Sequence, residues 1–335
     1  MRGADESGQG TKRADTKRPK DQKPRSRQRM ALARKTSELR LALAPRWREI
    51  RFDLHLMSKS VTSTAGVVLI VMLAIVAIFP FLFAAPPPGR DPFIIPVNFD
   101  PQYVNPLPPS AKFPLGTDAD AASIYYGVIW GARISMTFAI EVVLIGAGMG
   151  LVLGLFAGYL GGIVDEVIMR LTDVFLSIPG LILVIAICAV LGRGLEATKI
   201  ALLATWWSGY TRLIRGSVLS VRENSYIDAA RASGTGELKI MFRHILPNSW
   251  TPVIVEATMD MGTVVLVLAG LSFLGLGAPL GYAEWGIMVQ TGHLYLVSGY
   301  WWTIVFPGLA ILTFVLAFNL MGDGLRDVLD PKMRR

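Results

Sequence analysis

Three carboxylates, Glu141, Glu256 and Asp260, lie inside runs of apolar residues. A charge at the centre of a bilayer costs about 2.5–3.5 kcal/mol on insertion scales, so such residues face a cavity, a partner or each other. Glu256 and Asp260 are four residues apart, on one face of a helix, where they can share a cation or a proton. One interpretation is that the three line a translocation path. The other is that they hydrogen-bond to neighbouring helices.

Other chemistry has little support in the sequence. The chain contains no GxxxxGK[ST] phosphate loop, and its three histidines form no HExxH pattern. Cys188 is the only cysteine, which excludes an intrachain disulfide and a CxxC metal or redox motif. The sequence therefore predicts no catalytic residues, no metal site and no bound cofactor in this chain.

The composition is that of a membrane protein. Of the 335 residues, 52% are hydrophobic and 17% are charged, and the mean hydropathy is +0.47. A transmembrane helix needs about 20 apolar residues, and six runs meet or approach that length. They are Thr64–Ala85, Ile134–Tyr159, Val174–Leu191, Ile200–Leu219, Thr251–Leu276 and Trp301–Met321. We therefore predict an all-α, polytopic fold with six transmembrane helices.

Charge divides the chain and orients it. Residues 1–60 hold 17 Lys/Arg against 7 Asp/Glu, which predicts a basic cytoplasmic tail and an interfacial helix, Leu39–Leu56, against anionic lipid rather than nucleic acid. Residues 61–133 would form the first transmembrane helix and a Pro-rich outer loop. Residues 134–335 would form the core domain, with a cytoplasmic segment at 222–250. With six spans, both termini are expected in the cytoplasm of a cell-membrane protein.

A row of glycines recurs every fourth residue of the second run: Gly146, Gly150, Gly154, Gly158 and Gly162. On a helix this row forms a groove that lets another backbone approach closely. Packing within the chain is one interpretation, and contact with a partner subunit is the other.

The segment "SYIDAARASGTGELKIMFRHILPNS", residues 225–249, is a polar interruption between apolar runs. Its pattern predicts a short helix with small residues, a turn at Gly234, and a second amphipathic helix that ends at Pro247. The predicted apolar stripe of the second helix consists of Leu238, Met241, Phe242 and Ile245. Physical reasoning leaves two interpretations open: helices lying on lipid or docking into a groove of a cytoplasmic partner.

The same segment resembles a known signature. "DAARASG" followed by "HILPN" is similar to the EAA motif of ABC-importer permeases: Asp228-Ala229-Ala230, Gly234 and Leu246-Pro247 keep its spacing. "PLGTD", "GARIS", "LSFLGLGAP" and "FPGLAILTFVLAFNLMGDGLRDVLDP" resemble the dipeptide/oligopeptide/nickel branch, in the subunit type with a long first outer loop. The chain departs from that pattern at Ala121-Ala122-Ser123, where the family usually has Gly-Arg-Asp, and at Leu268, where it often has Glu.

The resemblance implies a type I ABC-importer permease fold and a transmembrane subunit that carries di- or oligopeptides. The expected partners are a homologous second permease, two cytoplasmic ATPases that bind ATP and Mg²⁺, and an extracytoplasmic solute-binding protein. The docking residues would be Asp228, Ala229, Ala230, Arg231, Gly234, Leu246 and Pro247. A subunit of a nickel or other small-solute importer is the alternative. A proton-coupled secondary transporter using Glu141, Glu256 and Asp260 is a further one.

Overall fold

A computed structural model describes residues 60–97 and 106–329. The predicted basic tail and the helix at Leu39–Leu56 lie outside these residues. The described part is helical and contains isolated β-bridges but no strand. Its α-helices are α1 Val61–Ile78, α2 Pro80–Phe83, α3 Ile124–Leu160, α4 Gly162–Ser177, α5 Gly180–Leu191, α6 Leu195–Arg222, α7 Ser225–Ala232, α8 Glu237–Ile240, α9 Leu246–Ser249, α10 Thr251–Phe273, α11 Trp285–Gly292 and α12 Trp302–Leu329. A π-helix, Met241–Ile245, joins α8 to α9, and a 3₁₀ turn, His293–Tyr295, follows α11.

Four of the described helices, α1, α3, α10 and α12, are long and apolar enough to cross a membrane. A fifth span is possible if α4 and α5 count as one, although they meet at 89°. By length and composition, the predicted count of six transmembrane helices is therefore not confirmed. The described helix α6 covers the predicted fourth span as one element, but its charged residues lower its hydropathy.

The prediction that Val174–Leu191 forms a single transmembrane helix is wrong. Pro179 stands between α4 and α5, and Ile178 before it has an extended backbone (φ −96°, ψ 133°). A proline disfavours helical conformation in the residue that precedes it, and its ring cannot continue the helix. The apolar run therefore bends sharply where the sequence pattern suggested continuity.

The glycine row packs α3 against α6. A Cβ added to Gly150 would lie 2.3 Å from the Tyr210 Cβ, and one added to Gly154 would lie 2.6 Å from the Thr211 carbonyl oxygen. Gly146 and Gly158 also face α6, whereas a Cβ on Gly162 would meet nothing within 4 Å. Packing within the chain is thus the correct interpretation for the first four glycines of the row.

The long helices α3 and α6 define two ends of the bundle. The loop end holds residues 86–97, 106–123 and 277–301, and the elbow end holds the segment 223–250. At the loop end the Pro-rich connection packs on the later loop: the Ile95 N–H donates to the Gly281 carbonyl at 2.9 Å, and the Ala283 N–H donates to the Phe93 carbonyl at 2.7 Å. These hydrogen bonds tie the first part of the connection to the loop that precedes α11.

A tight turn precedes α3. The Asp118 carboxylate accepts hydrogen bonds from the Asp120 and Ala122 N–H groups at 3.0 and 2.8 Å. Burial raises the pKa of Asp118 to about 6. Ala121 has a φ of +56°, at the position where the resemblance leads one to expect glycine. The Ser123 hydroxyl accepts from the Tyr126 N–H and caps α3.

Candidate functional site

The elbow segment, residues 223–250, begins with the short helix α7. Ile227 is its buried anchor against the bundle. The opposite face of α7 is open: Asp228, Ala229 and Arg231 are exposed, and Ala230 is half-buried. Arg231 Nη1 lies 3.4 Å from Asp228 Oδ1 in an exposed ion pair. Two alanines flanked by an ion pair leave a low, narrow surface that another chain can approach closely.

Gly234 forms the predicted elbow. Its φ is +78°, in the left-handed region that favours glycine. Its N–H donates to the Arg231 carbonyl at 2.9 Å, and the Thr235 N–H donates to the Ala230 carbonyl at 3.1 Å. These hydrogen bonds satisfy carbonyls at the end of α7 and turn the chain sharply toward α8.

The structure confirms only part of the apolar stripe that was predicted for the second helix of the elbow segment. Met241 and Ile245 are buried with Ile240, but the Leu238 and Phe242 side chains are 70% and 52% exposed. The prediction assumed an α-helical period, whereas Met241–Ile245 is a π-helix, whose wider turn places residues five apart on one face. Leu238 and Phe242 consequently stand on the free surface of the elbow segment.

Pro247 does not end the element as predicted. It lies in the first turn of α9, a position that needs no backbone donor, and the helical path continues to Ser249. Leu246 is half-buried and Pro247 is exposed. The seven predicted docking residues therefore lie on one continuous segment, with α7 and α9 at its two ends.

Polar contacts hold the elbow segment to the bundle. The Tyr159 hydroxyl, at the end of α3, donates to the Glu237 carboxylate. Arg231 Nε lies 3.8 Å from Glu237 Oε1. Directly before the segment, Arg222 at the end of α6 donates from Nη1 to the Gly158 and Tyr159 carbonyls of α3 at 3.2 and 3.0 Å. The sequence analysis missed this network, because Tyr159 and Glu237 are 78 residues apart and neither belongs to the motif.

A cleft of 520 Å³ opens between α6 and α10, and Trp206, Tyr210, Arg212, Glu256 and Asp260 contribute to its walls. The Trp206 indole N–H donates to Asp260 Oδ2 at 2.9 Å. A second cavity of 550 Å³ shares the Glu256 wall and extends to Arg326 on α12. The structure thus brings together two of the three predicted carboxylates and adds two aromatic side chains to them.

Glu141 lies elsewhere. Its Oε2 is 2.7 Å from the Lys199 Nζ, which also lies 2.9 Å from Glu196 Oε1. The pair joins α3 to the first turns of α6 and gives the buried part of Glu141 a direct counter-charge. Lys199 immediately precedes the predicted fourth span. That position is the one sequence signal that could have identified Lys199 as the partner of Glu141.

Ion pairs also connect the bent helix α4 to α6. Arg215 donates two hydrogen bonds to the Asp165 carboxylate, from Nε at 2.5 Å and from Nη2 at 2.6 Å. Arg212 pairs with Asp173. Arg170, also on α4, lies 3.9 Å from Glu166. Arg212 and Arg215 of α6 therefore both have carboxylate partners on α4.

The described residues contain no group of three or more His, Cys, Asp or Glu side chains placed to hold a metal ion. The candidate sites of the described part are therefore a surface, the elbow segment, and the polar cleft within the bundle. A bundle of apolar helices with a polar cleft and an exposed helical elbow fits a membrane transport protein.

Comparison with known proteins agrees with this class. Residues 150–335 match the family described as "Binding-protein-dependent transport system inner membrane component". The chain belongs to this family and to its dipeptide, oligopeptide and nickel branch, so it is a transmembrane permease subunit of an ABC importer.

Several curated relatives cover most of the chain. It is 38% identical to the probable D,D-dipeptide transport system permease protein DdpC of Escherichia coli K12, over 90% of this chain and 98% of that protein. It is 44% identical to the dipeptide transport system permease protein DppC of Alkalihalophilus pseudofirmus, over 68% and 74% of the two chains. The glutathione transport system permease protein GsiD of Pectobacterium atrosepticum is 38% identical over 86% of this chain and 92% of its own length.

A solved structure supports the fold. A chain of the MetNI methionine ABC transporter, in an inward-facing conformation, superposes with a TM-score of 0.50 at 20% identity. The match covers 61% of this chain and 97% of the other. It confirms the ABC-importer permease fold that the motifs suggested.

Proposed function

We propose that the chain is one of two permease subunits of an ATP-driven importer of di- or oligopeptides. Its partners would be a homologous permease, two cytoplasmic ATPase subunits and an extracytoplasmic solute-binding protein. The peptide assignment is supported by the relatives, whose names specify D,D-dipeptide, dipeptide and glutathione transport. Nickel or another small solute is the alternative, and the same assay tests it.

The exposed elbow segment carries the proposal that this chain couples to a separate ATPase. Asp228, Ala229, Arg231 and Gly234 lie on its free surface, and the buried Ile227 holds that surface to the bundle. A short helix with small side chains fits into a groove more closely than it spreads on lipid, where bulky apolar residues are favoured. ATP and Mg²⁺ would bind to the partner, and this chain would perform no hydrolysis.

The charge distribution supports a cytoplasmic elbow end. Cytoplasmic segments of membrane proteins carry an excess of Lys and Arg. Residues of this kind at the elbow end include Arg212, Arg215, Arg222, Arg231, Lys239, Arg243 and Arg326. Because α12 runs from the loop end to the elbow end, the C-terminus would also be cytoplasmic, as would the basic N-terminal tail.

We assign the translocation path to the cleft between α6 and α10. Glu256 and Asp260 both line it, and each lies on the α10 face that looks toward α6. Glu141 is held by Lys199 and is assigned to the packing of α3 on α6 rather than to the path. In this arrangement motion of the elbow segment would reach the cleft through α6 and α10, which flank the segment in sequence.

The test is reconstitution of the four-component complex with its binding protein in proteoliposomes. Uptake and ATP hydrolysis are measured with dipeptides, tripeptides, glutathione and Ni²⁺. Stimulation by a peptide supports the proposal, and stimulation by Ni²⁺ alone supports the alternative. Ala230→Glu and Gly234→Leu should abolish uptake and weaken ATPase co-purification while the permease pair still assembles. Normal uptake in both variants would contradict the docking proposal.

A further inference from the structure

Three cavities of the bundle meet at the Leu213 side chain. The first is the cleft of 520 Å³ between α6 and α10. The second is the cavity of 550 Å³ that extends to Arg326, and a third, also of 550 Å³, lies beside Asn248 and Pro252 at the elbow end. Of the described residues, Leu213 alone lines all three. Because a side chain shared by neighbouring cavities forms the wall between them, Leu213 separates the cleft from the two cavities at the elbow end.

The order of the lining residues along α6 gives the direction of this partition. On α6 the cleft is lined by residues within 205–213, and the third cavity by residues within 212–221. Since α6 runs from the loop end to the elbow end, the cleft lies on the loop side of Leu213 and the third cavity on its elbow side. The antiparallel α10 agrees, with Asp260 in the cleft and Pro252 in both elbow-end cavities. A solute that moves along α6 from the cleft to the elbow end therefore passes Leu213.

Leu213 is a bulky apolar residue between small ones. Gly209 lies one turn before it in the cleft, and Gly216 follows it in the third cavity. Both glycines are exposed, and a Cβ on either would meet nothing within 4 Å. Leu213 itself is half-buried and packs against the buried cluster that contains Ile214, which holds it in place. The free width at this level therefore depends on the volume of the Leu213 side chain.

The neighbouring Arg212 has a different role. Its guanidinium pairs with Asp173 on α4, and the pair is about half exposed. This contact draws the arginine toward α4 and leaves the apolar Leu213 between α6 and α10. Apolar constrictions are barriers in protein pores, because a polar solute that passes them gives up hydrogen bonds to water.

We propose that Leu213 forms the constriction between the cleft and the cytoplasmic exit, and that its side chain limits the size of the peptide that this permease passes. Small-molecule sites commonly have about 300–1,000 Å³, so the cleft accommodates a short peptide on the loop side of Leu213. An apolar side chain has no donor or acceptor, so it discriminates by volume rather than by charge. The inference rests on the proposed peptide transport and assigns a specificity-determining residue to it.

Uptake of two dipeptides that differ in side-chain volume tests the size limit. The complete transporter in proteoliposomes receives labelled Ala-Ala or Ala-Trp. The binding protein is the same for every variant, so a change in the uptake ratio originates in the permease. Leu213→Ala should raise the ratio of Ala-Trp to Ala-Ala uptake about threefold, and Leu213→Trp should lower it by about the same factor. Leu213→Met nearly preserves the side-chain volume and should leave the ratio unchanged.

Leu219 provides the matched control. It is half-buried on the same helix and lines none of the three cavities. Leu219→Ala and Leu219→Trp should therefore leave the uptake ratio at its wild-type value. A ratio that is the same in Leu213→Ala, Leu213→Trp and the wild-type transporter would overturn the size limit, as would equal changes in the Leu219 variants.

Cysteine labelling tests the constriction without any transported solute. Cys188, the one cysteine of the chain, is buried. Gly209→Cys and Gly216→Cys therefore place reactive thiols on the cleft side and the elbow side of Leu213. The assembled transporter is treated with a bulky maleimide without nucleotide, and the intact mass of this subunit reports the rate. Leu213→Ala should accelerate labelling of Gly209→Cys about fivefold and leave that of Gly216→Cys unchanged. No acceleration at Gly209→Cys would overturn the constriction.

The two experiments separate this inference from the proposed function. If both dipeptides are taken up in a ratio that does not respond to Leu213, the size limit is overturned and peptide transport stands. If neither dipeptide is taken up, peptide transport is overturned, and the labelling experiment decides alone. Faster labelling of Gly209→Cys in the Leu213→Ala background then supports the constriction for whatever solute the transporter carries, and an unchanged rate overturns it.

Discussion

The Tyr159 hydroxyl donates a hydrogen bond to the Glu237 carboxylate and so joins the end of α3 to the start of α8. Arg231 lies 3.8 Å from the same carboxylate, and through its pair with Asp228 it extends the network onto the free surface of α7. Three side chains thus connect the proposed docking surface to the bundle. We expect a force applied to α7 to reach α3 through these polar contacts as well as through the buried Ile227.

Tyr159→Phe is expected to weaken this connection without unpacking the ring, since Tyr159 is buried and phenylalanine keeps the ring. Loss of one hydrogen bond to a charged acceptor corresponds to about 1.5–3 kcal/mol. We expect the number of peptides taken up per ATP hydrolysed to fall several-fold, while ATPase binding is retained. Uptake and hydrolysis measured on the same proteoliposomes give this ratio, and Tyr125→Phe is the control. An unchanged ratio would show that the hydroxyl has no part in coupling.

Gly234 and Gly236 make a matched pair in the elbow. A Cβ would meet nothing within 4 Å at either position, but the φ of Gly234 is +78° and that of Gly236 is −63°. Gly234→Ala should therefore cost about 1–2 kcal/mol through backbone strain alone, and Gly236→Ala should not. Faster amide hydrogen exchange across residues 225–249 in Gly234→Ala, with none in Gly236→Ala, is the expected result. Equal exchange in both would contradict the conformational argument.

The parts of the fold that local sequence determines could be predicted, including the apolar runs and the Gly234 turn. The glycine row predicted a close helix contact, but whether the contacting helix belongs to this chain was decided only by the structure. The bend at Pro179 was missed although the proline is a local signal for it, because the apolar residues on both sides favoured a single continuous span. The stripe of the second elbow helix was mistaken because the π-helix changes the period between Met241 and Ile245. Contacts such as Trp206–Asp260 and Tyr159–Glu237 depend on how distant helices align, and a single sequence contains no signal for that.

The glycine row provides a test of helix packing. A Cβ on Gly150 would lie 2.3 Å from the Tyr210 Cβ and 2.8 Å from the Thr211 nitrogen, whereas one on Gly148 would meet nothing within 4 Å. Gly150→Ala should therefore separate α3 from α6 and cost about 1–3 kcal/mol. Thermal unfolding of the detergent-solubilised protein should show a lower Tm for Gly150→Ala and an equal or higher Tm for Gly148→Ala. The same Tm for both variants would mean that α3 and α6 are not packed as described.

Ala121 has the positive φ of a residue that is usually glycine. Relief of left-handed strain should stabilise Ala121→Gly by about 1–2 kcal/mol, and the greater freedom of glycine in the unfolded chain offsets about 0.4–1 kcal/mol of that gain. We expect a small rise in Tm. Ala122→Gly, at the next buried position without a positive φ, gains no such relief and should lower the Tm. A drop of equal size in both variants would contradict strain at Ala121.

The turn before α3 should respond to pH through Asp118. Burial raises the pKa of its carboxyl from 3.8 to about 6 in the folded protein. Below pH 4 the group is protonated in both the folded and the unfolded state and has no effect. Between about pH 4 and 6 the unfolded chain ionises first, so folding stability falls as the pH rises. Above pH 6 the buried carboxyl is ionised in both states, and its ionisation lowers the free energy of unfolding by at most about 3 kcal/mol, at 1.36 kcal/mol per pKa unit.

Asp118→Asn keeps an oxygen that accepts from the Ala122 N–H but cannot ionise. Its Tm should match that of the wild-type protein near pH 4 and exceed it near pH 7. Asp120→Asn is the control, because Asp120 is exposed in the same turn, two residues after Asp118. The difference in Tm between Asp120→Asn and the wild-type protein should change much less with pH. A constant difference between Asp118→Asn and wild type across this range would show that burial does not hold the Asp118 carboxyl protonated.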